Sequence, residues 1–289
     1  MIIAIVGPTG VGKTKLSVEL AKKIDAEIIN ADSMQIYKEM NIATAKVKEE
    51  EKDGVSHHLF DIKNIDEDYS VYDYQRDARS KIDEVLSRGK NVILVGGTGL
   101  YIKACLYDYK FQKENNIYDF SNLSDEELYN ETLKVDPNLE IHKNNRRRIE
   151  RFLTKAKNGD VNREKDAPLY DFIMIGLTTD RENLYKRIDV RVDEMVDEGL
   201  LKEAKMMYDK KISSKALKTA IGYKELFPYF DGNISLEDAL NEIKKASRHY
   251  AKRQYTFFKN QLPVTWFETN YQDFSKTIEE VISYIKHEE

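Results

Sequence analysis

The stretch Gly7-Pro8-Thr9-Gly10-Val11-Gly12-Lys13-Thr14 decides the fold of this chain. Before it stands an apolar run, Ile2-Ile3-Ala4-Ile5-Val6, that reads as a strand. After it come Leu16, Leu20 and Ile24 at helical spacing. GxxxxGKT between a strand and a helix is a phosphate-binding P-loop. The glycines let the backbone curl until successive N–H groups face one anion, and the helix N-terminus adds the positive end of its dipole. Lys13 then neutralises a terminal phosphate, and the Thr14 hydroxyl can hold a Mg²⁺. The motif calls for a diphosphate or triphosphate. It does not specify ATP.

The rest of the chain frames that motif. At 289 residues there is length for one large or two modest domains with a substantial core. With 41% hydrophobic residues and no apolar run of membrane-spanning length, a soluble globular protein without a membrane association is expected. MIIAIV enters the P-loop directly, so no signal peptide is expected and the expected location is cytoplasmic. A single cysteine, Cys105, forms no internal disulfide and no thiolate zinc site, and beside Ala104 and Leu106 it reads as a small buried residue.

The net charge of −5 conceals two basic clusters. Between Lys143 and Lys165 nine Lys/Arg stand against three Asp/Glu, including Arg146-Arg147-Arg148 and Arg151. Between Lys244 and Lys259 there are six Lys/Arg and no acid, interleaved with Tyr250, Tyr255, Phe257 and Phe258. Either cluster alone is compatible with a solvated face, whereas the pair points to a nucleic-acid surface.

Strand-like runs at 2–6, 27–29, 91–95, 172–177 and 264–267 alternate with helical patterns, the arrangement of a parallel sheet covered on both faces. One helix is expected over 71–87, with Val71, Ala78, Ile82, Val85 and Leu86 on one face and Gly89 as its stop. A second is expected to run unbroken from Arg181 to about Tyr208. The block 113–168 breaks the rhythm. It holds a capping box, Ser124-Asp125-Glu126-Glu127, and a basic helix near 144–157, and it reads as an all-helical insertion into an α/β core formed by 1–112 and 169–289.

Ligands of open α/β sheets bind at the carboxyl ends of the strands. After the second strand comes Asn30-Ala31-Asp32-Ser33-Met34-Gln35, where Asp32 is suited to act as a general base or an indirect Mg²⁺ ligand. After Val92-Ile93-Leu94-Val95 comes Gly96-Gly97-Thr98-Gly99-Leu100-Tyr101, without the aspartate that an ATPase places there for Mg²⁺. The small residues are expected to leave a surface that a substrate can approach.

GPTGVGKT, ADSMQIYKEMNIATAK, SHHLFDI, VGGTGLYIKA, AIGYKE and SRHYAKRQYTFF, in that order from residue 2 to about Trp266, resemble the ordered signature of the tRNA dimethylallyltransferases. The resemblance implies a P-loop kinase-like α/β core with a helical insertion. It also implies transfer of a dimethylallyl group from dimethylallyl diphosphate to the exocyclic amine of the adenosine beside the anticodon, with Mg²⁺. On that basis Gly7 to Thr14 hold the diphosphate of the donor, and Asp32 receives the amine proton. Ser33, Met34 and Gln35 surround the target nucleotide, and Thr98 contacts the leaving diphosphate. Arg147, Arg148 and Arg151 meet tRNA, as does the AKRQ region with Arg248, Lys252 and Arg253. A monomer is expected. Some members carry an arginine where this chain has Thr219; Lys218 or Arg248 are the candidate replacements.

Other residues read as structural. Adjacent His57 and His58 suit loop hydrogen bonding better than chelation of one metal. Tyr223 and Lys224 are placed at the site rim, and Arg181, Arg187 and Arg191 on a salt-bridged surface with phosphate contact as the alternative. A small-molecule or nucleotide kinase has the same core, with the 181–191 arginines as a lid over ATP, but lacks a need for two basic clusters. A non-catalytic RNA-binding P-loop protein leaves Lys13, Thr14 and Asp32 without a purpose.

Overall fold

The apolar runs form the centre of the chain, seen in a computed structural model that describes residues 1–111, 118–139, 141–159, 167–211 and 214–288. In order the elements are β1 (Ile2–Val6), α1 (Lys13–Lys23), β2 (Ala26–Asn30), β3 (His57–His58), α2 (Val71–Ser87), β4 (Asn91–Val95) and α3 (Gly99–Leu106). Then come α4 (Asp125–Val135), α5 (Arg146–Lys157), β5 (Ile173–Thr178), α6 (Arg181–Asp197), α7 (Leu200–Asp209), α8 (Lys215–Thr219) and α9 (Phe227–Phe230). The chain closes with α10 (Leu236–Gln261), β6 (Thr265–Glu268) and α11 (Phe274–Glu288).

The six strands make one parallel sheet in the order β3-β2-β4-β1-β5-β6. Alternation along β1 serves both faces. Ile2, Ala4 and Val6 pack with α2 and α3, and Ile3 and Ile5 with α1 and α11. Burying one such isoleucine stabilises the fold by about 2 kcal/mol. Because both faces are covered, β1 carries no polar residue, as a central parallel strand requires. A third core joins α6 to α10 with Ile36, Tyr37 and Met40 of the segment after β2. Within it the buried Glu203 carboxylate of α7 accepts the backbone N–H groups of Asn41, Ile42 and Ala43 and the Tyr223 hydroxyl. This fastens the segment that follows Asp32.

The chain separates into two compact units, Met1–Tyr109 with Pro168–Glu289, and Lys110–Ala167. The smaller holds α4, whose Ser124–Glu127 capping box is formed, and α5, and among its described residues there is no strand. Phe120, Leu128, Ile149 and Leu153 make its core. The expected boundary at 112/113, and Arg163 and Lys165 of the first basic cluster, lie outside the described residues.

Three expectations are corrected here. The helix from 181 to 208 is two helices, because Gly199 adopts φ 106, a left-handed conformation that costs any other residue strain and lets α7 start afresh. The histidines form an edge strand instead of a loop. His58 bonds the buried carboxylate of Glu27, which Arg88 also holds. Tyr223 does not lie at a rim; it is fully buried against Glu203.

Candidate active site

The P-loop follows β1, and its backbone is held from behind. The Tyr271 hydroxyl donates to the Gly10 carbonyl at 3.2 Å and the Thr269 hydroxyl to the Val11 carbonyl at 3.0 Å, while the Lys13 ammonium donates to the Pro8 carbonyl at 2.6 Å. Gly12 sits at φ 89 under the Phe274 ring, where a side chain has neither the backbone nor the space. Gly7 to Thr14 therefore form the expected loop at the head of α1.

This loop borders a cleft of about 840 Å³ at the carboxyl ends of the strands, lined also by Asp32 to Gln35, Gly96 and Gly97, Arg187 and Arg191, Thr219 and Lys224, and Tyr250 and Arg253. Asp32 is half-buried. Its turn is fixed by Asn30, whose side chain receives the Asp32 N–H and donates to the Asp32 carbonyl, while the Asp32 carboxylate accepts the Met34 N–H at 2.9 Å. Burial pushes the Asp32 carboxyl above its ordinary value, against the Met34 N–H and the Lys13 and Arg191 charges. Thr98 joins the two strand ends: its hydroxyl accepts the Ser33 N–H at 3.0 Å and donates to the Ser33 hydroxyl at 3.3 Å. Gln35 donates to the Thr44 carbonyl at 3.0 Å. Asp32, Ser33, Met34 and Gln35 thus share one cleft with Lys13 and Thr14, and Thr98 stands behind Ser33.

The arginines of α6 are the site residues that sequence reasoning undervalued. Arg191 donates to the Thr9 hydroxyl at 3.2 Å, and Arg187 lies over the Tyr271 ring at 4.8 Å. Neither Lys13 nor Arg191 has an ion-pair partner among the described residues. Burial, then the Arg191 charge, brings the Lys13 ammonium down to about 7, with Asp32 acting the other way. The four-residue spacing of Arg187 and Arg191, just after a strand end, was the available signal. Neither proposed replacement for an arginine at Thr219 is in the cleft lining. Lys218 is exposed on α8, and Arg248 pairs with Asp189 of α6 at 2.5 Å.

Two further expectations are qualified. Gly96 and Gly97 do present their backbone to the cleft, but the side-chain positions of the glycines after β4 are not open space. A side-chain carbon at Gly96 would strike the Ala31 backbone, at Gly97 the Gln254 amide and at Gly99 the Phe257 ring. The AKRQ segment is not uniformly a nucleic-acid face. Lys252 and Arg253 are exposed, with Arg253 over the Tyr250 ring at 5.6 Å, but Gln254 is buried among the active-site loops and Arg248 is ion-paired. Of the aromatics, Phe258 is fully buried and Tyr255 packs on Trp266.

In the smaller unit Arg147, Arg148 and Arg151 are exposed on α5 and without ion pairs among the described residues. Arg146 is the exception. It bonds Asp125, Glu150 and the Leu123 and Phe120 carbonyls.

For a metal the donors are few. Among the described residues no three His, Cys, Asp or Glu side chains are grouped to hold an ion. The Thr14 hydroxyl makes no hydrogen bond among the described residues and lines the cleft near Asp32. That set fits Mg²⁺, which keeps water and substrate phosphates as most of its ligands, and no cation that needs an all-protein cage. Among the described residues no helix is long and apolar enough to cross a membrane.

Comparison with known proteins places this cleft in context. The family profile described as IPP transferase matches residues 35–261. The chain is 44% identical over 298 residues to the tRNA dimethylallyltransferase of Anoxybacillus flavithermus, covering 99% of this chain and 96% of that one. It is similar to the crystal structure of the full-length tRNA isopentenylpyrophosphate transferase from Bacillus halodurans, with TM-score 0.79, 44% identity, and coverage of 99% of this chain and 95% of that one. A eukaryotic dimethylallyltransferase solved acting on tRNA aligns with TM-score 0.78 and 28% identity, over 99% of this chain and 79% of the other.

Proposed function

The chain belongs to the IPP transferase family, and we propose that the cleft at its strand ends is where it transfers a dimethylallyl group to tRNA. The donor is dimethylallyl diphosphate, and the acceptor is the exocyclic amine of the adenosine 3′-adjacent to the anticodon. One observation carries this reading: Lys13 and Arg191, two half-buried cations without ion pairs among the described residues, converge on the P-loop with the Asp32 carboxylate beside them. Charges drawn even partly out of water are ordinarily paired. A polyanion bound by the loop completes the pairing, and the carboxylate is left to act on a second substrate.

The reaction breaks the bond between the allylic carbon and the diphosphate oxygen, whose electron pair leaves with the diphosphate. The bond from the amine nitrogen to that carbon forms, and a proton leaves the nitrogen. Lys13, Arg191 and the P-loop N–H groups take up the charge that develops on the leaving group, through preorganised electrostatics. Asp32 accepts the amine proton, and its raised affinity for protons suits a base that must hold one briefly. The Thr14 hydroxyl would hold a Mg²⁺, which would supply further neutralisation of the diphosphate oxygens. The adenine leaves its stack to reach the cleft, at a few kcal/mol. The exposed arginines of α5 supply phosphate contacts that offset this.

Incubation with tRNA, Mg²⁺ and dimethylallyl diphosphate, followed by mass analysis of the nucleosides, should yield a prenylated adenosine. Diphosphate should be released in equal amount. An ATP-dependent phosphorylated product in its place would establish a kinase.

A further inference from the structure

We propose that Gln254 is a positioning residue of the transfer step, holding the P-loop in register with the loops that carry Asp32 and Thr98. The inference rests on the reaction proposed above. Gln254 projects from α10 and is 5% exposed, so it is no contact for a large substrate. Its side-chain oxygen accepts the Thr9 N–H at 2.9 Å, and its nitrogen donates to the Gly97 carbonyl at 3.1 Å. One partner is a donor and the other an acceptor. A neutral amide meets both at any pH, whereas an ionised carboxylate lacks the donor and an amine the acceptor.

The two partners belong to different halves of the chemistry. Thr9 lies in the loop that grips the leaving group. Gly97 precedes Thr98, whose hydroxyl holds Ser33 next to Asp32. Tyr250, one turn before Gln254, lines the same cleft. The strands behind these loops need no such tie, because β1 and β4 are already paired from Ile2–Val92 to Ile5–Val95. The Gln254 bonds begin where the ladder ends. They therefore set the separation between leaving group and acceptor, on which an in-line transfer depends steeply: a misplacement of about 1 Å costs roughly a hundredfold in rate.

Gln254→Glu tests this, because protonation switches the missing donor. The ionised carboxylate keeps the Thr9 bond and faces the Gly97 carbonyl with a negative oxygen; the protonated acid restores both bonds. Single-turnover rates at saturating donor and tRNA are compared with wild type across neutral to alkaline pH. Asp32, Tyr250, Lys13, Arg191 and Arg253 lie around the position in both proteins, so the variant-to-wild-type ratio reports on residue 254. The expected ratio is about one-hundredth at alkaline pH. It should climb as pH falls, since a buried carboxyl takes up its proton early, while tRNA affinity stays near wild type.

Gly97→Ala gives an independent reading, since its methyl displaces the Gln254 amide without altering residue 254. It should show a comparable loss in rate, with no dependence of the ratio on pH. A Gln254→Glu rate within about threefold of wild type at every pH, or a loss confined to the tRNA KM, overturns the proposal. If that variant does not fold, a full rate in Gly97→Ala overturns it. A wild-type control that makes no prenylated adenosine would instead refute the reaction itself.

Discussion

Arg191 reaches from α6 to the P-loop, its guanidinium donating to the Thr9 hydroxyl at 3.2 Å. This places a second half-buried cation beside Lys13. Two like charges in one cleft, with no carboxylate paired to either among the described residues, oppose folding and favour an anion. The same arrangement therefore makes the protein less stable alone and more receptive to a diphosphate, and it has measurable consequences.

Lys13 stands at about 7, brought down by burial and by Arg191, from an ordinary 10.5. A bound diphosphate favours the ammonium and raises that value. Affinity for the diphosphate is thus full below about pH 7 and declines as pH rises through it, with uptake of up to one proton per site. Calorimetry in buffers of different ionisation enthalpy should detect the uptake, and Lys13→Met should abolish it. In the free protein the unfolded chain holds this proton up to about pH 10.5 and the folded chain only to about 7, so folding stability rises with pH across that interval. Lys13→Met should accordingly be more stable than wild type below neutrality, with the difference shrinking on the alkaline side.

Arg191→Met should weaken diphosphate binding by about tenfold to a hundredfold, the cost of a lost charge-assisted contact of 1.5–3 kcal/mol. It should also raise the Lys13 pKa, because one of the two causes that depress it is gone. The midpoint of the affinity-versus-pH curve should then move upward. If binding falls while the midpoint stays fixed, the two cations do not share one anion.

The P-loop, the capping box at Ser124 and five of the six strands were legible because each rests on a local pattern: an apolar period, a turn residue, a cap. The segments that misled were those whose meaning is tertiary. Gly199 resembles any residue in a polar helical run until its positive φ is seen. Gly96 and Gly97 border the cleft as small residues should, but the sequence does not show that α10 and Ala31 fill the space a side chain there, or at Gly99, would take. Arg191 lies on a helix of mixed charge and Arg248 on a basic one, yet it is Arg191 that faces the cleft, while Arg248 turns to Asp189 of α6.

Asp32→Asn should lower the single-turnover rate by about a hundredfold or more, the usual contribution of a positioned acid–base group. The fold should persist, because the asparagine oxygen still accepts the Met34 N–H. With burial raising the Asp32 pKa, the wild-type rate should fall on the acid side at a higher pH than an ordinary carboxylate near 3.8 would give. A normal rate in the variant assigns the proton to another acceptor.

Arg248→Ala separates a structural cation from a nucleic-acid contact. Its partner Asp189 and the guanidinium are both partly exposed, so the pair contributes about 0–1 kcal/mol to stability. The salt dependence of tRNA binding should be unchanged. A flatter dependence would show that the arginine leaves Asp189 for a phosphate when tRNA binds.

The exposed trio of α5 should behave in the opposite way. Arg147, Arg148 and Arg151 have no ion pairs among the described residues to lose, and the helix is anchored by Arg146, Ile149 and Leu153, which the substitutions leave in place. Replacing the trio by alanine should leave the thermal midpoint near wild type. It should raise the tRNA KM and reduce the slope of log affinity against log salt by up to about one unit for each phosphate contact removed. Diphosphate binding should be unaffected, because the P-loop and its cations belong to the larger unit. Binding titrations at several salt concentrations measure the slope directly. An unchanged slope would mean that these arginines are a solvated face, and that the net charge of −5 is balanced for tRNA elsewhere, with Lys252 and Arg253 of α10 the next cations to replace.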